Sequence, residues 1–405
     1  MLETIYATQF ARNRHRAAPL LEERERYLQH CAAHGSTHRT QYQRAEELLW
    51  LAQRMQPDDR QGVDADRLRQ LIEVKPEPSR AHARRAEIHG RNWLKFLGWW
   101  RTPPNPVPFE ADLKHFVCWI RDERGLASST ILQWQDRTAT FLRWYAQTGR
   151  DLSLLHPEDI DAYFVTYGSG RWGRVSVSYM VCMLRTFLRH AASRGRCDVN
   201  LAAALFGPRR YALEKIPTAL TWDEVRRVLA AADTDKPQDI RDRAILLLMA
   251  VYGLRRSEVA TLRLDQIHWQ AHELHILRHK RNQAQIFPLV ETVAAALARY
   301  IDTVRPAVDR PQIFLRMNAP HVPMIPPSLY WLVSARLRAS GLTGPKRGPH
   351  ALRHACATRM LAEGLSLKEI GDHLGHRSPR STLTYTKVDL VGLREVGNFD
   401  LGGLQ

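Results

Sequence analysis

Apolar residues recur at helical spacing through most of this chain, and the runs they mark are punctuated by glycines, prolines and capping residues. In the first hundred positions, residues 22–33 and 37–55 read as two helices split by Gly35 and Ser36, with Leu48, Leu49, Leu51 and Ala52 as the apolar part of the second. A further helix carries Arg80, Arg84, Arg85, Arg91 and Lys95 and runs into the aromatic stretch 93–100. Pro103, Pro104, Pro106 and Pro108 cannot continue it, because proline lacks an amide hydrogen and restricts its predecessor, so a linker is expected there. Four helical patterns follow, at 110–124, 129–147, 157–167 and 176–193; Ser129 and Thr130 are expected to cap the second, and Pro157, Glu158 and Asp159 to open the third. The pattern of 35–53, a glycine, a polar cap and a helix, is repeated in 125–147.

Beyond a second linker at 208–217, Thr221 and Glu224 form the ends of a capping box, and residues 242–252 predict an almost wholly apolar helix that turns at Gly253. Helices are expected again at 292–304 and, after a proline-rich passage through Pro327, at 328–340. Residues 349–385 read as three short helices. Pro349 opens the first and Gly364 stops it; Leu367, Ile370 and Leu374 mark the second, which ends at Gly375; Ser378 and Pro379 open a third that carries Tyr385. Within the first, Leu352, Ala355 and Cys356 face the core, and the three-residue spacing of His350 and Arg353 is expected to turn both the same way.

Charge narrows the class of partner. The 59 Lys and Arg against 42 Asp and Glu leave a formal net charge of +17, which fits a polyanion such as nucleic acid better than a small neutral substrate. No apolar run approaches the roughly 20 residues that span a bilayer, and no signal-peptide core is evident at the N-terminus, so no membrane partner is expected. The five cysteines, Cys31, Cys118, Cys182, Cys197 and Cys356, are scattered without CxxC spacing and read as buried thiols in a reducing compartment. His30, His34 and His38 recur every four residues, but Gly35 interrupts their face and no ligand set accompanies them, so they read as solvated histidines rather than a metal site.

His350, Arg353, His376 and Tyr385 are a set suited to phosphodiester chemistry. A phenol, with a pKa of about 10, needs help to lose its proton, and a guanidinium matches the oxygens of a phosphate under attack. Any one of these residues alone would be an ordinary packed side chain. Their spacing, H-x-x-R, then L-G-H, then a tyrosine nine residues beyond His376, resembles the C-terminal signature of the tyrosine recombinases, the phage integrase family. Two upstream stretches fit the same resemblance. Residues 252–258, YGLRRSE, look like the family's first-arginine box, with Arg255 as its arginine and Glu258 as the acidic residue three positions on. Residues 273–289, ELHILRHKRNQAQIFPL, look like the β-hairpin that carries the family's lysine; the usual flanking glycines are absent, and the register eight residues before Pro288 selects Lys280.

The resemblance implies a mainly α fold with a small β-hairpin or sheet in the catalytic domain. It divides the chain into an N-terminal helical region at 1–102, a helical core-binding domain at 109–207, and a catalytic domain with a C-terminal tail at 216–405; the pattern shared by 35–53 and 125–147 makes 1–102 a candidate extra DNA-binding module, with convergent helix-hairpin patterning as the alternative. It implies a site-specific recombinase or integrase of the mobile-element type, in which Tyr385 attacks a scissile phosphate to leave a 3′-phosphotyrosine. Arg255, Arg353 and His376 would hold the phosphate oxygens, Lys280 would protonate the leaving oxygen, His350 would take the tyrosine proton and Glu258 would orient the others. No metal or other cofactor is implied. The partner would be double-stranded DNA, held by a homotetramer on two sites and joined by further recombinases or accessory proteins in some settings, in the cytoplasm at the nucleoid. Candidate phosphate contacts outside the catalytic set are Arg84, Arg85, Arg91, Lys95, Arg209, Arg210 and Lys215. A type IB topoisomerase and a non-cleaving accessory factor are the competing readings.

Overall fold

The computed structural model describes residues 1–73, 79–102, 107–209, 220–278, 283–342, 348–376 and 378–383. They group into two compact units, one of Thr102–Glu214 and one of Met1–Arg101 with Lys215–Gln405.

The first hundred residues build six helices: α1 (Leu2–Ile5), α2 (Gln9–Arg16), α3 (Leu21–Ala33), α4 (His38–Ala52), α5 (Ala65–Ile72) and α6 (Arg80–Leu97). Thr37, Asp64 and Ser79 accept an early amide hydrogen of α4, α5 and α6, satisfying donors that a helix start leaves without a partner. The two helices predicted at 22–33 and 37–55 are α3 and α4. Short α1, α2 and α5 escaped the sequence reading because four to eight residues hold too few periods to register. Helix α6 passes close to α4 and α5 at Gly90, where a Cβ would come within 2.6 Å of a Leu51 methyl and 3.2 Å of a Leu68 methyl. Trp93 is fully buried, and its indole N–H donates to the Glu23 carbonyl at 3.2 Å. The rings of His30 and His34 lie 4.1 Å apart, and both residues, like His38, are exposed.

Residues Thr102–Glu214 hold α7 (Glu110–Asp122), α8 (Ser128–Ala146), α9 (Pro157–Gly168), α10 (Arg174–Ser193) and α11 (Leu201–Ala204). Their core is aromatic: Phe116, Phe141, Tyr145, Tyr163 and Phe187 are essentially buried, with edge-on contacts between Phe116 and Phe187 at 5.3 Å and between Phe141 and Tyr163 at 5.2 Å. Ser129 and Thr130 do not cap α8. The helix already begins at Ser128, and its N-cap is Ala127, which has no side chain able to accept. Cys118 and Cys182 are exposed, against the expectation of five buried thiols; the core-facing positions of α7 and α10 belong to neighbours such as Phe116, Ile120, Met183 and Leu184.

The remaining elements are α12 (Trp222–Ala231), α13 (Pro237–Val251), α14 (Arg256–Thr261), β1 (Ile267–His268), β2 (Glu273–Arg278), β3 (Gln283–Pro288), α15 (Glu291–Thr303), α16 (Pro326–Ala339), α17 (Pro349–Ala362) and α18 (Leu367–Leu374). The Thr221–Glu224 capping box opens α12 as predicted, with Thr221 accepting from the Glu224 amide and Glu224 from that of Thr221. Helix α13 is the hub: every residue from Asp239 to Ala250 except Arg243 is buried. A helix apolar all round must be covered on all sides, and α12, α14, α15 and α17 pack around it. Its polar start is closed by Arg336 of α16, which donates to Asp242 at 2.8 and 2.6 Å and to Asp239 at 2.5 Å. Helix α16 starts two residues before the predicted 328 because Pro326 and Pro327 occupy its first turn, where a missing amide hydrogen costs nothing.

The expected hairpin is the larger part of a three-stranded antiparallel sheet of order β1-β2-β3. Glu273 pairs with Pro288 and Arg278 with Gln283, so the segment around Lys280 connects the paired ends and lies outside the described residues. Among the described residues, no helix is long and apolar enough to cross a membrane.

Candidate active site

Gly253 decides where the first arginine goes. At φ +58° it takes the left-handed turn that closes α13, and a Cβ there would stand 2.5 Å from the Leu374 Cδ2, so only glycine fits both the conformation and the space. The chain then enters α14 with Arg255 as its N-cap. The Arg255 backbone N–H donates to Glu258 Oε2 at 2.7 Å and its Nη1 to Oε1 at 2.8 Å. Glu258 is 3% exposed, a burial tolerable for a carboxylate only with cations on it. Its second cation is Arg278 of β2, whose Nη1 donates to Oε2 at 2.7 Å.

Helix α17 supplies the second arginine. Leu352, Ala355 and Cys356 are buried as predicted, and burial, against the opposing charges of Arg353 and Arg278, pushes the Cys356 thiol up to about 12. Arg353 faces the same interior, 5% exposed, while His350 in the first turn is exposed. Three residues advance about 300° around a helix and leave the two side chains about 60° apart, so they differ in exposure, with His350 at the surface and Arg353 inside. Arg353 donates from Nη1 to the Gly253 carbonyl and from Nη2 to the Leu374 carbonyl, both at 2.5 Å.

The C-terminus of α18 gathers these groups. Ser366 and Glu369 form its opening capping box, and Gly375 ends it in the left-handed conformation at φ +61°. The last carbonyls of a helix have no partner within it and lie at the negative end of its dipole. Here they are met one after another: Asp372 by Gln285 Nε2 at 3.2 Å, His373 by Arg278 Nη2 at 2.6 Å, Leu374 by Arg353 Nη2 at 2.5 Å and Gly375 by Arg255 Nη2 at 2.9 Å. Three guanidinium groups thus converge on one helix end.

His376 is the next residue. Its backbone N–H donates to the Gly371 carbonyl at 2.9 Å, and its Nδ1 lies 2.8 Å from the hydroxyl of Thr382, which is 2% exposed. Gly371 makes room for that hydroxyl, since a Cβ would stand 2.9 Å from it. Burial, followed by the charges of Arg353 and Arg255, lowers the His376 pKa to about 4, so the ring is neutral at neutral pH. When Thr382 donates to Nδ1, the proton is on Nε2, and the ring offers a neutral N–H donor. A cleft of about 210 Å³ opens beside it, lined by Lys368, Gly371, His376, Thr382 and Leu383 among others.

Arg255, Glu258, Arg353 and His376 are therefore brought together, with His350 one turn from Arg353 on the exposed side. Lys280 and Tyr385 lie outside the described residues. The third predicted helix is a single 3-10 turn, Pro379–Ser381, over its described part, with Ser378 at its N-cap but making no side-chain bond there. Of the candidate phosphate contacts, Arg84, Arg85, Lys95 and Arg209 are exposed. Arg85 is also bound to the buried Glu47 at 3.0 Å, and Arg91 to Glu87 at 2.5 Å with its guanidinium 5.5 Å from the Trp100 ring centre. Arg210 and Lys215 lie outside the described residues. The sequence reading missed Arg278, Gln285 and Thr382. For Arg278 a signal was present: Leu274, Ile276 and Arg278 alternate on β2 and all three are buried, so an arginine stands where strand periodicity calls for an apolar residue.

Comparison with known proteins places this arrangement. Residues 218–390 match the model of the phage integrase family. The chain is 36% identical over 293 residues to y4rA of Sinorhizobium fredii, whose name puts it among integrases and recombinases, covering 72% of this chain and 71% of that one. It is 30% identical over 278 residues to the tyrosine recombinase XerD of Lacticaseibacillus casei, covering 67% of this chain and 92% of the relative. Among solved structures, the XerH site-specific recombinase bound to palindromic difH substrate in a post-cleavage complex matches with a TM-score of 0.56 at 17% identity, covering 70% of this chain and 84% of that one. At that identity the likeness is one of fold.

Proposed function

The chain belongs to the phage integrase family and is a tyrosine-type site-specific recombinase, and on that premise we propose that Tyr385 cleaves double-stranded DNA by forming a covalent 3′-phosphotyrosine. The phenol oxygen attacks the scissile phosphorus, the bond from phosphorus to the 5′ oxygen breaks, and a 5′-hydroxyl leaves. His350 accepts the phenol proton and Lys280 gives one to the departing oxygen. Attack by a 5′-hydroxyl of the partner duplex reverses the step and joins the new strands. The energy of the phosphodiester is held in the protein link throughout.

The observation that carries this reading is the convergence of Arg255, Arg353 and His376 on the end of α18. A guanidinium has five N–H donors, and the bonds of Arg255 and Arg353 to Glu258 and to carbonyls hold each fork by two of its nitrogens. Forks held this way are oriented before the phosphate arrives, and donors set in advance cost no reorganisation as charge develops on its oxygens. His376, neutral beside two arginines, adds a donor without further cationic repulsion.

In this reading, the recombinase acts at the nucleoid in the cytoplasm as a homotetramer on two DNA sites. Residues 1–102 serve as an added DNA-binding module, 109–207 as the core-binding domain and 216–405 as the catalytic domain. The length of the region before the core-binding domain supports integration or excision of a mobile element. The deciding experiment is a denaturing-gel search for a protein–DNA adduct on the DNA flanking its own gene, with wild type and Tyr385→Phe side by side. An adduct lost with the phenol oxygen is expected; an adduct that persists in Tyr385→Phe would overturn the assignment.

A further inference from the structure

Arg278 is among the largest fully buried side chains of the described residues. Burying a guanidinium is costly unless its donors are met, and here all three nitrogens are used: Nε donates to Gln285 Oε1 at 2.8 Å, Nη1 to Glu258 Oε2 at 2.7 Å and Nη2 to the His373 carbonyl at 2.6 Å. Its stem packs against the turn after α18, for a Cβ added to Gly375 would meet its Nε at 3.1 Å and its Cδ at 3.2 Å.

Each of those partners leads to a residue of the proposed site. Glu258 holds Arg255 through its other oxygen. The His373 carbonyl belongs to the helix end whose next carbonyls bind Arg353 and Arg255, and His376 follows directly. Gln285 ties β3 to β2, and its Nε2 reaches the same helix end at 3.2 and 3.3 Å. One planar fork therefore joins the sheet, the first-arginine turn and the end of α18.

We propose that Arg278 is a positioning residue for strand cleavage, setting Arg255 through Glu258 and His376 through the C-terminus of α18. It does not touch the phosphate. Its effect is on where two phosphate-binding groups stand, and because it lies two residues before Lys280, it also anchors the strand from which the lysine segment departs. This inference rests on the catalytic reading of Arg255 and His376 given above. A lysine cannot replace it: a point charge would neutralise Glu258 but has no fork to span Glu258, Gln285 and the His373 carbonyl at once.

The test uses the full chain with Arg278→Gln and Arg278→Lys. Arg278→Gln leaves buried Glu258 short of a cation and so tests stability as much as position; Arg278→Lys, which keeps the charge, is the variant on which the decision falls, and near-UV circular dichroism checks its fold. Two quantities are read. The first is the side-chain NMR signal and titration of His376 in DNA-free protein, which is expected to move, with its pKa rising as water enters around the helix end. The second is the single-turnover rate of adduct formation on the flanking DNA, expected to fall about tenfold to a hundredfold, as a misplacement near 1 Å would give, with DNA affinity within about twofold of wild type, since no phosphate contact is removed. A purely structural role would lower the thermal midpoint while leaving both readouts of the folded protein in place. An unmoved His376 signal, or a wild-type cleavage rate in folded Arg278→Lys, would overturn the proposal. An adduct surviving in Tyr385→Phe would instead remove the catalytic reading, and the His376 signal would still decide whether Arg278 positions that residue.

Discussion

Arg353 donates from Nη1 to the carbonyl of Gly253, 2.5 Å away and a hundred residues earlier in the chain. That bond ties the helix of the H-x-x-R motif to the turn that launches Arg255, so the two arginines are placed by one joint rather than by two independent elements. The joint leaves little room, since a Cβ on Gly253 would stand 2.5 Å from Leu374 and 3.7 Å from the stem of Arg353.

Gly253→Ala should therefore be strongly unfavourable. A left-handed alanine costs about 1–2 kcal/mol, and crowding a packed interior adds about 1–3 kcal/mol. A thermal midpoint several degrees lower is expected, together with loss of adduct formation. A variant with wild-type stability and activity would show that the turn has another conformation available.

Glu258→Gln should cost more than its exposure-matched neighbours. The amide replaces a carboxylate shared by Arg255 and Arg278 and turns one of its two acceptors into a donor facing a guanidinium. Removing one partner of a buried ion pair typically costs about 3–5 kcal/mol. Urea denaturation should show a loss of that order, and the cleavage rate should fall with it.

Acid should weaken the fold through its half-buried histidines. Burial is the first cause that lowers His376, His373 and His89 to about 4, and neighbouring arginines add to it. In the unfolded chain each would titrate at about 6.5. Between those values the unfolded state binds more protons, so stability falls as pH drops from 6.5 to 4 and changes little on this account above 6.5. His373→Gln should flatten the slope of the urea midpoint over that window; an unchanged slope would mean that His373 titrates normally.

In the DNA-binding role proposed for residues 1–102, the cations of α6 would divide between phosphate and protein carboxylates. Arg84→Ala and Lys95→Ala, at exposed positions, should each weaken DNA binding and reduce the slope of log affinity against log salt by about 1. Arg85→Ala should instead lower the thermal midpoint, because it removes the ion pair from buried Glu47. Equal effects of all three on the salt slope would argue against this division. Binding by wild type should itself fall by about a thousandfold or more between 50 and 200 mM salt if six or more phosphates are neutralised.

Local chemistry carried much of this protein into view from its sequence. The capping box at Thr221, the apolar run of α13 and the glycine stops at Gly364 and Gly375 depend on neighbours within a turn or two, where backbone geometry is set by the residues themselves; the candidate site was legible only through its resemblance to a family. What the sequence could not show was which cations are met by distant acceptors. Arg85 and Arg278 are chemically the same as Arg84, and only the fold brings Glu47 and Glu258 to them, whereas Glu87 lies one helical turn before Arg91 and is within reach of local spacing. The same holds for His350 and Arg353, whose three-residue spacing is a fixed angle but whose solvent exposure depends on what α17 packs against. Long-range partners at the end of α18 come from β2, β3, α17 and the turn before α14, and a one-dimensional pattern contains no record of which carbonyls that helix leaves open to them. The tertiary structure decided this, because a buried guanidinium is stable only where several distant acceptors converge.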